Sequence, residues 1–135
     1  MKAVVTGATG LIGKAVIKRL TEGGHEITAL VRKKTGQWPS NVRELPWDAF
    51  SDSVDPKLFS GQNAVIHLAG EPVATRWSIA RKKRISDSRI QGTRALVEAI
   101  KSLDPDDRPK ILISGSAIGI YGSRGNEEIS EQTPP

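Results

Sequence analysis

Val4-Val5-Thr6-Gly7-Ala8-Thr9-Gly10-Leu11-Ile12-Gly13 carries three glycines at steps of three, directly behind a short apolar run from Lys2 to Thr6. A strand that enters such a turn and leaves it as an amphipathic helix is the layout of a dinucleotide-phosphate site. Gly7 permits the sharp turn out of the strand, and Gly10 has no Cβ to hold the backbone away from a pyrophosphate. Gly13 lets the helix pack closely. The first-turn N–H groups have no acceptor inside the helix, and the macrodipole adds partial positive charge, so an anion is favoured there. Thr9, Leu11 and Ile12 belong to the same turn and join the three glycines as candidate cofactor contacts.

Past Gly13, Ile12, Val16 and Leu20 recur at helical spacing with Ala15 and Ile17 beside them, while Lys14, Lys18 and Arg19 face outward. Gly23-Gly24 is a helix stop signal. His25 to Val31 then reads as a second strand and completes a βαβ unit of about thirty residues. Sites for NAD place a carboxylate near the end of this strand, to accept from the ribose 2′-OH, whereas NADP sites offer arginine. Here Val31 is followed by Arg32-Lys33-Lys34. Those cations suit a 2′-phosphate; an ordinary basic loop is the plainer alternative.

Thr35 to Ser40 reads as a loop, broken by Gly36 and Pro39, and Val42 to Trp47 as a short strand that Pro46 places near an edge. Asp55-Pro56 opens a short helix. Asn63 to Gly70 is a continuous apolar run, as in a buried parallel strand, and its closing Leu68-Ala69-Gly70 is small enough for a cofactor to lie against. His67 lies inside that run with no second ligand nearby, so a core histidine is expected and a metal site is not. Arg76 to Leu103 reads as one long helix with a stripe of Ile85, Arg89, Thr93, Leu96, Val97 and Ile100. A charge inside that stripe calls for an anion opposite Arg89; a cofactor, a buried carboxylate or a snorkelling side chain would each answer. Arg81 to Arg84 reads as a solvated face. Lys110 to Ser114 is a fifth strand, with no helix expected after it.

The chain has 135 residues, expected to form one domain over residues 1–135, and no cysteine, which excludes disulfides and thiolate chemistry. The first residues already belong to a strand, and no apolar run approaches membrane-spanning length, so a cytoplasmic protein is expected. The formal net charge is +5, with one tyrosine and two phenylalanines. So few aromatics leave little to stack bases on, which disfavours nucleic acid as the partner.

Together, Thr6-Gly7-Ala8-Thr9-Gly10, Leu68-Ala69-Gly70-Glu71-Pro72, Arg76-Trp77, Ser88-Arg89-Ile90 and Ser114-Gly115-Ser116-Ala117-Ile118-Gly119-Ile120-Tyr121-Gly122 resemble the NAD-dependent epimerase/dehydratase family. The match is to the atypical, sugar-nucleotide-epimerase-like branch of the extended short-chain dehydrogenase/reductases. The resemblance implies that Arg89 contacts the cofactor, that Asp48 stands where an acidic residue meets adenine, and that Ser116 is a catalytic candidate polarising a substrate oxygen. A turn residue and a strand-closing serine are the plainer readings of the last two. The superfamily's chemistry uses a tyrosine with a lysine four residues on. The only tyrosine is Tyr121, and four residues on stands Gly125. The resemblance also implies a longer protein, of which this is the N-terminal portion.

The expected fold is therefore α/β, a Rossmann-type doubly wound parallel sheet with strand order 3-2-1-4-5, incomplete at its C-terminal side. The expected function is NADP(H) binding, with NAD as the second choice, in an epimerase- or reductase-like protein acting on an unknown small molecule. A non-catalytic dinucleotide-binding or redox-sensing module is the competing reading. The fifth strand, apolar on consecutive residues, is expected to form an open edge through which the chain self-associates.

Overall fold

The computed structural model describes residues 1–135, the side chain of Ile118 excepted. Five parallel strands, β1 (Lys2–Thr6), β2 (Glu26–Val31), β3 (Val42–Pro46), β4 (Ala64–His67) and β5 (Ile111–Ser114), lie in the order β3-β2-β1-β4-β5. The order is the expected one. Helix α1 (Leu11–Glu22) makes the β1–β2 crossover and α2 (Ile79–Lys101) the β4–β5 crossover, on opposite faces of the sheet. Alternate residues of one strand feed the two layers. Val4 joins Leu30, Phe59, Val65 and Leu96 on the α2 side, while Ala3 and Val5 join Ile17, Ile27 and Ala29 on the α1 side. Burial on both faces is why the central strands read as unbroken apolar runs.

The buried stripe of α2 differs from the expected one. It runs Ser88, Gly92, Ala95, Leu96 and Ala99, and Arg89 stands exposed beside it. Small residues are buried because the helix comes very close to the segment after β3. A Cβ on Gly92 would lie 2.8 Å from the Ala49 carbonyl oxygen. Counting large apolar side chains shifts the stripe by one residue, because here the seam is set by backbone approach. The helix also starts at Ile79, three residues inside the expected start at Arg76; Ser78 caps it, its Oγ accepting from the Arg81 N–H at 3.2 Å.

Pro46 ends β3 on the outer edge of the sheet, as its missing N–H requires. Strand β5 occupies the opposite edge, with all four residues exposed. A 3-10 turn, Ile118–Tyr121, follows it where no helix was expected. Among the described residues no helix is long and apolar enough to cross a membrane.

Candidate functional site

The C-terminal ends of β1, β2 and β4 open into a cleft of about 240 Å³. From the expected contacts it gathers Gly7, Thr9, Gly10, Val31, Arg32, Leu68, Ala69 and Gly70. Gly7 has φ +67°, and a Cβ there would sit 2.6 Å from the Leu68 carbonyl carbon and oxygen. The turn after β1 is thus pressed onto the end of β4, and the two segments form one floor. Gly13 serves the same turn from the helix side. Its Cβ would lie 2.2 Å from the Gly7 carbonyl oxygen, so at this position α1 rests on the turn itself.

Helix α1 begins without help from any side chain. Its N-cap is Gly10, with no side-chain cap, and its first turn holds no acidic residue. The contrast with the Ser78 cap of α2 locates free donors and an uncompensated dipole where the glycine turn meets the cleft. An anionic pyrophosphate fits these donors, and nothing in the turn stands in its way.

The floor is held by a buried hydroxyl. Thr6 Oγ1 accepts the Leu68 and Ala69 N–H groups at 3.2 and 3.1 Å, which ties the exit of β4 to the end of β1. Its own proton then goes to His67 Nδ1, 2.7 Å away. That assignment leaves the proton of the neutral ring on Nε2, which donates to Thr93 Oγ1 at 3.1 Å. His67 is therefore the satisfied core histidine that was expected, and among the described residues no metal-binding cluster occurs. The edge of its ring meets Trp47, with centroids 6.0 Å apart.

Burial lowers the His67 pKa below 6.5. A second proton would set an Nδ1–H against Thr6 Oγ1, whose lone pairs are already taken. The unfolded chain thus binds that proton more readily than the folded one. Stability contributed by neutral His67 is fully present above about pH 6.5 and is lost as pH falls through that value, by at most about 1.4 kcal/mol per pH unit. Chemical denaturation at pH 7.5 and pH 5 should show a larger acid loss for the parent than for His67→Gln. Equal losses would remove His67 as the cause.

Arg32 lines the cleft at the end of β2, while Lys33 and Lys34 stand exposed beside it. Among the described residues none of the three has an ion-pair partner. Arg89 is not half of a carboxylate pair either. Its Nη1 donates to the Glu71 and Ile85 carbonyl oxygens, each at 3.1 Å. The guanidinium lies flat against Gly70, where a Cβ would approach its Cζ to 3.2 Å. It therefore borders the cleft lip formed by Gly70 and Glu71 but is not part of the lining. The side chains of Leu11 and Ile12, residues that are 91% and 64% exposed, belong to a separate apolar patch of α1 with Ala15, Val16 and Leu20, which leaves only their backbone N–H groups to the glycine turn. Ser116 is exposed outside the cleft.

Sequence reasoning passed over much of the opposite wall, built by Trp47, Ala49, Phe50, Glu71, Pro72 and Ser88. Glu71 is 8% exposed and pairs with both Arg81 and Arg84. Arg84 also lies 4.5 Å over the Phe50 ring. Two members of the basic run expected to be a solvated face therefore brace the cleft wall. The available signal was the i, i+3 spacing of the two arginines, which sets both on one face of α2. Asp48 also lines the cleft, and one of its carboxylate oxygens accepts the Phe50 N–H at 3.1 Å, the turn role that was the plainer reading.

The profile of the NAD dependent epimerase/dehydratase family matches residues 3–135. The chain is 35% identical over 136 residues to the chloroplastic epimerase family protein SDR39U1 homolog of Arabidopsis thaliana, covering 99% of this chain and 39% of that one. A crystal structure of human epimerase family protein SDR39U1 (isoform 2) with NADPH superimposes with a TM-score of 0.76 at 28% identity, over 99% of this chain and 42% of that one. MoeE5 in complex with UDP-glucose and NAD shares the fold, with a TM-score of 0.78 at 23% identity, over 100% of this chain and 42% of that one. The chain thus spans about two fifths of the length of these proteins.

Proposed function

The chain belongs to the NAD-dependent epimerase/dehydratase family, and from that premise we propose that it binds NADP(H) as the cofactor-binding part of an epimerase- or reductase-like protein. Structural neighbours that carry NADPH or NAD support a nicotinamide dinucleotide as the ligand. The pyrophosphate would lie on the Gly7–Gly13 turn and the start of α1, above the floor of Leu68, Ala69 and Gly70. Arg32 and Lys33 would meet the 2′-phosphate, and Arg89 would reach the cofactor from its place against Gly70. A bound nicotinamide supplies hydride chemistry; the residues described here bind and orient it. Ser116 is proposed to polarise an oxygen of a small-molecule substrate in the full protein.

The observation that carries the reading is an unpaired Arg32 in the cleft at the end of β2. Calorimetric titration should give tighter binding of NADPH than of NADH. Charge-assisted contacts of ~1.5–3 kcal/mol correspond to roughly tenfold to a hundredfold in affinity. Equal affinities would refute the assignment to NADP.

The sole tyrosine, Tyr121, with Gly125 four residues on, favours a second reading, a dinucleotide-binding or redox-sensing module without catalysis of its own. The open β5 edge supports a further proposal, that the 135-residue chain self-associates there.

A further inference from the structure

The connection from β2 to β3, residues 32–41, makes its crossover without a helix. Its backbone donors must therefore find acceptors elsewhere. Two of them, joined by two side-chain donors, converge on one carboxylate. Glu44, in the middle of β3 and in register with Ala29, accepts the Thr35 N–H on both carboxylate oxygens, at 3.0 and 2.9 Å. The same carboxylate takes the Gly36 N–H at 2.9 Å, the Thr35 hydroxyl at 2.8 Å and the Trp38 indole N–H at 2.8 Å. Gly36 has φ +66°, which bends the loop back toward the strand. Trp38 is held from its other side as well, its ring packed on the α1-side core.

Only Arg32, Lys33 and Lys34 separate this clasp from Val31, the last residue of β2, which is 4% exposed. The three cations therefore occupy a short segment anchored at both ends. Glu44 neutralises none of them, because its oxygens are committed to loop donors. The Gly36 and Thr35 hydrogen bonds hold its pKa down to about 2, so the clasp stays ionised over the pH range in which binding would be measured.

We propose that Glu44 is a positioning residue for cofactor selection: by clasping Thr35, Gly36 and Trp38 it holds Arg32 and Lys33 at the cleft mouth, ready for a 2′-phosphate. The inference rests on the NADP reading above. Preorganised cations give up less conformational freedom on binding, and that saving applies only to the ligand that carries the phosphate.

The sign of one substitution separates positioning from simple charge. A nearby carboxylate acting only through its charge would repel the 2′-phosphate, so Glu44→Gln would tighten NADPH binding. A clasp predicts the reverse. Glu44→Gln should weaken NADPH about tenfold and leave NADH within about twofold, both titrated by calorimetry. Trp38→Phe keeps the ring packed and removes one donor, so a smaller loss for NADPH alone is expected; it serves equally if Glu44→Gln fails to fold. NADPH binding that is unchanged or tighter in the variant that folds overturns the proposal, as does an equal loss for both cofactors. Arg32→Ala is the control. If it weakens NADPH while the clasp variants do not, the NADP reading stands and the role of Glu44 falls. If it leaves NADPH unchanged, both fall.

Discussion

Gly13→Ala is expected to destabilise this protein strongly, although it puts the best helix former in place of one of the poorest. Position 13 lies inside α1, where intrinsic propensity alone would reward the change by about 1 kcal/mol. Packing decides otherwise. The new Cβ would lie 2.2 Å from the Gly7 carbonyl oxygen and 2.9 Å from the Ala8 Cα and carbonyl oxygen. These are backbone atoms, so no side chain can rotate away. Either α1 lifts off the turn or the turn gives way, and Gly7 has no freedom of its own because it is pressed against Leu68. Overpacking costs ~1–3 kcal/mol where side chains can yield, and a backbone contact belongs at or beyond the upper end. A fall in Tm of roughly 10 °C is expected, with loss of NADPH binding because the same turn faces the cleft. Thermal unfolding of the two proteins checks it; an unchanged or higher Tm would mean that the helix has room to shift.

The second large effect is a change of assembly state. Strand β5 pairs with β4 on one side only, and Ile111, Leu112 and Ile113 are 51%, 47% and 52% exposed. Consecutive strand residues point to opposite faces, so both faces are open at this edge. The segment after β5 leaves it so. Arg124 draws that segment together by donating to the Pro134 carbonyl oxygen at 2.6 Å, and β5 stays half exposed. Covering the rest of three aliphatic side chains is worth about 3–4 kcal/mol, and edge-to-edge hydrogen bonds help offset the entropy of association. A weak dimer with Kd of roughly 1–6 mM is the expected result. Sedimentation velocity across that range should show the mean mass rising with concentration, and Ile113→Lys should keep the chain monomeric. A parent chain that stays monomeric throughout would end the proposal.

Much of this architecture is local chemistry written along the chain. The glycine turn between an apolar strand and an amphipathic helix announces a βαβ unit. Unbroken apolar runs at Asn63 to Gly70 and Lys110 to Ser114 announce parallel strands. Right-handed crossovers then leave few strand orders to choose from. Each of these signals depends on residues within a few positions of one another, and each survives in the structure. What the sequence alone did not disclose depends on distances between segments far apart in the chain. Gly92 is buried because α2 meets Ala49, some forty residues earlier in the chain. The His67 tautomer follows from Thr6 on one side and Thr93 on the other. Arg81 and Arg84 are drawn out of a surface run by Glu71, and Arg89 settles on Gly70 instead of facing a buried acid. Glu44 reads as an ordinary strand residue until the loop folds over it. Periodicity tells which face of an element is apolar, but how closely two elements approach, and which polar groups they then force together, is decided only when the chain closes on itself.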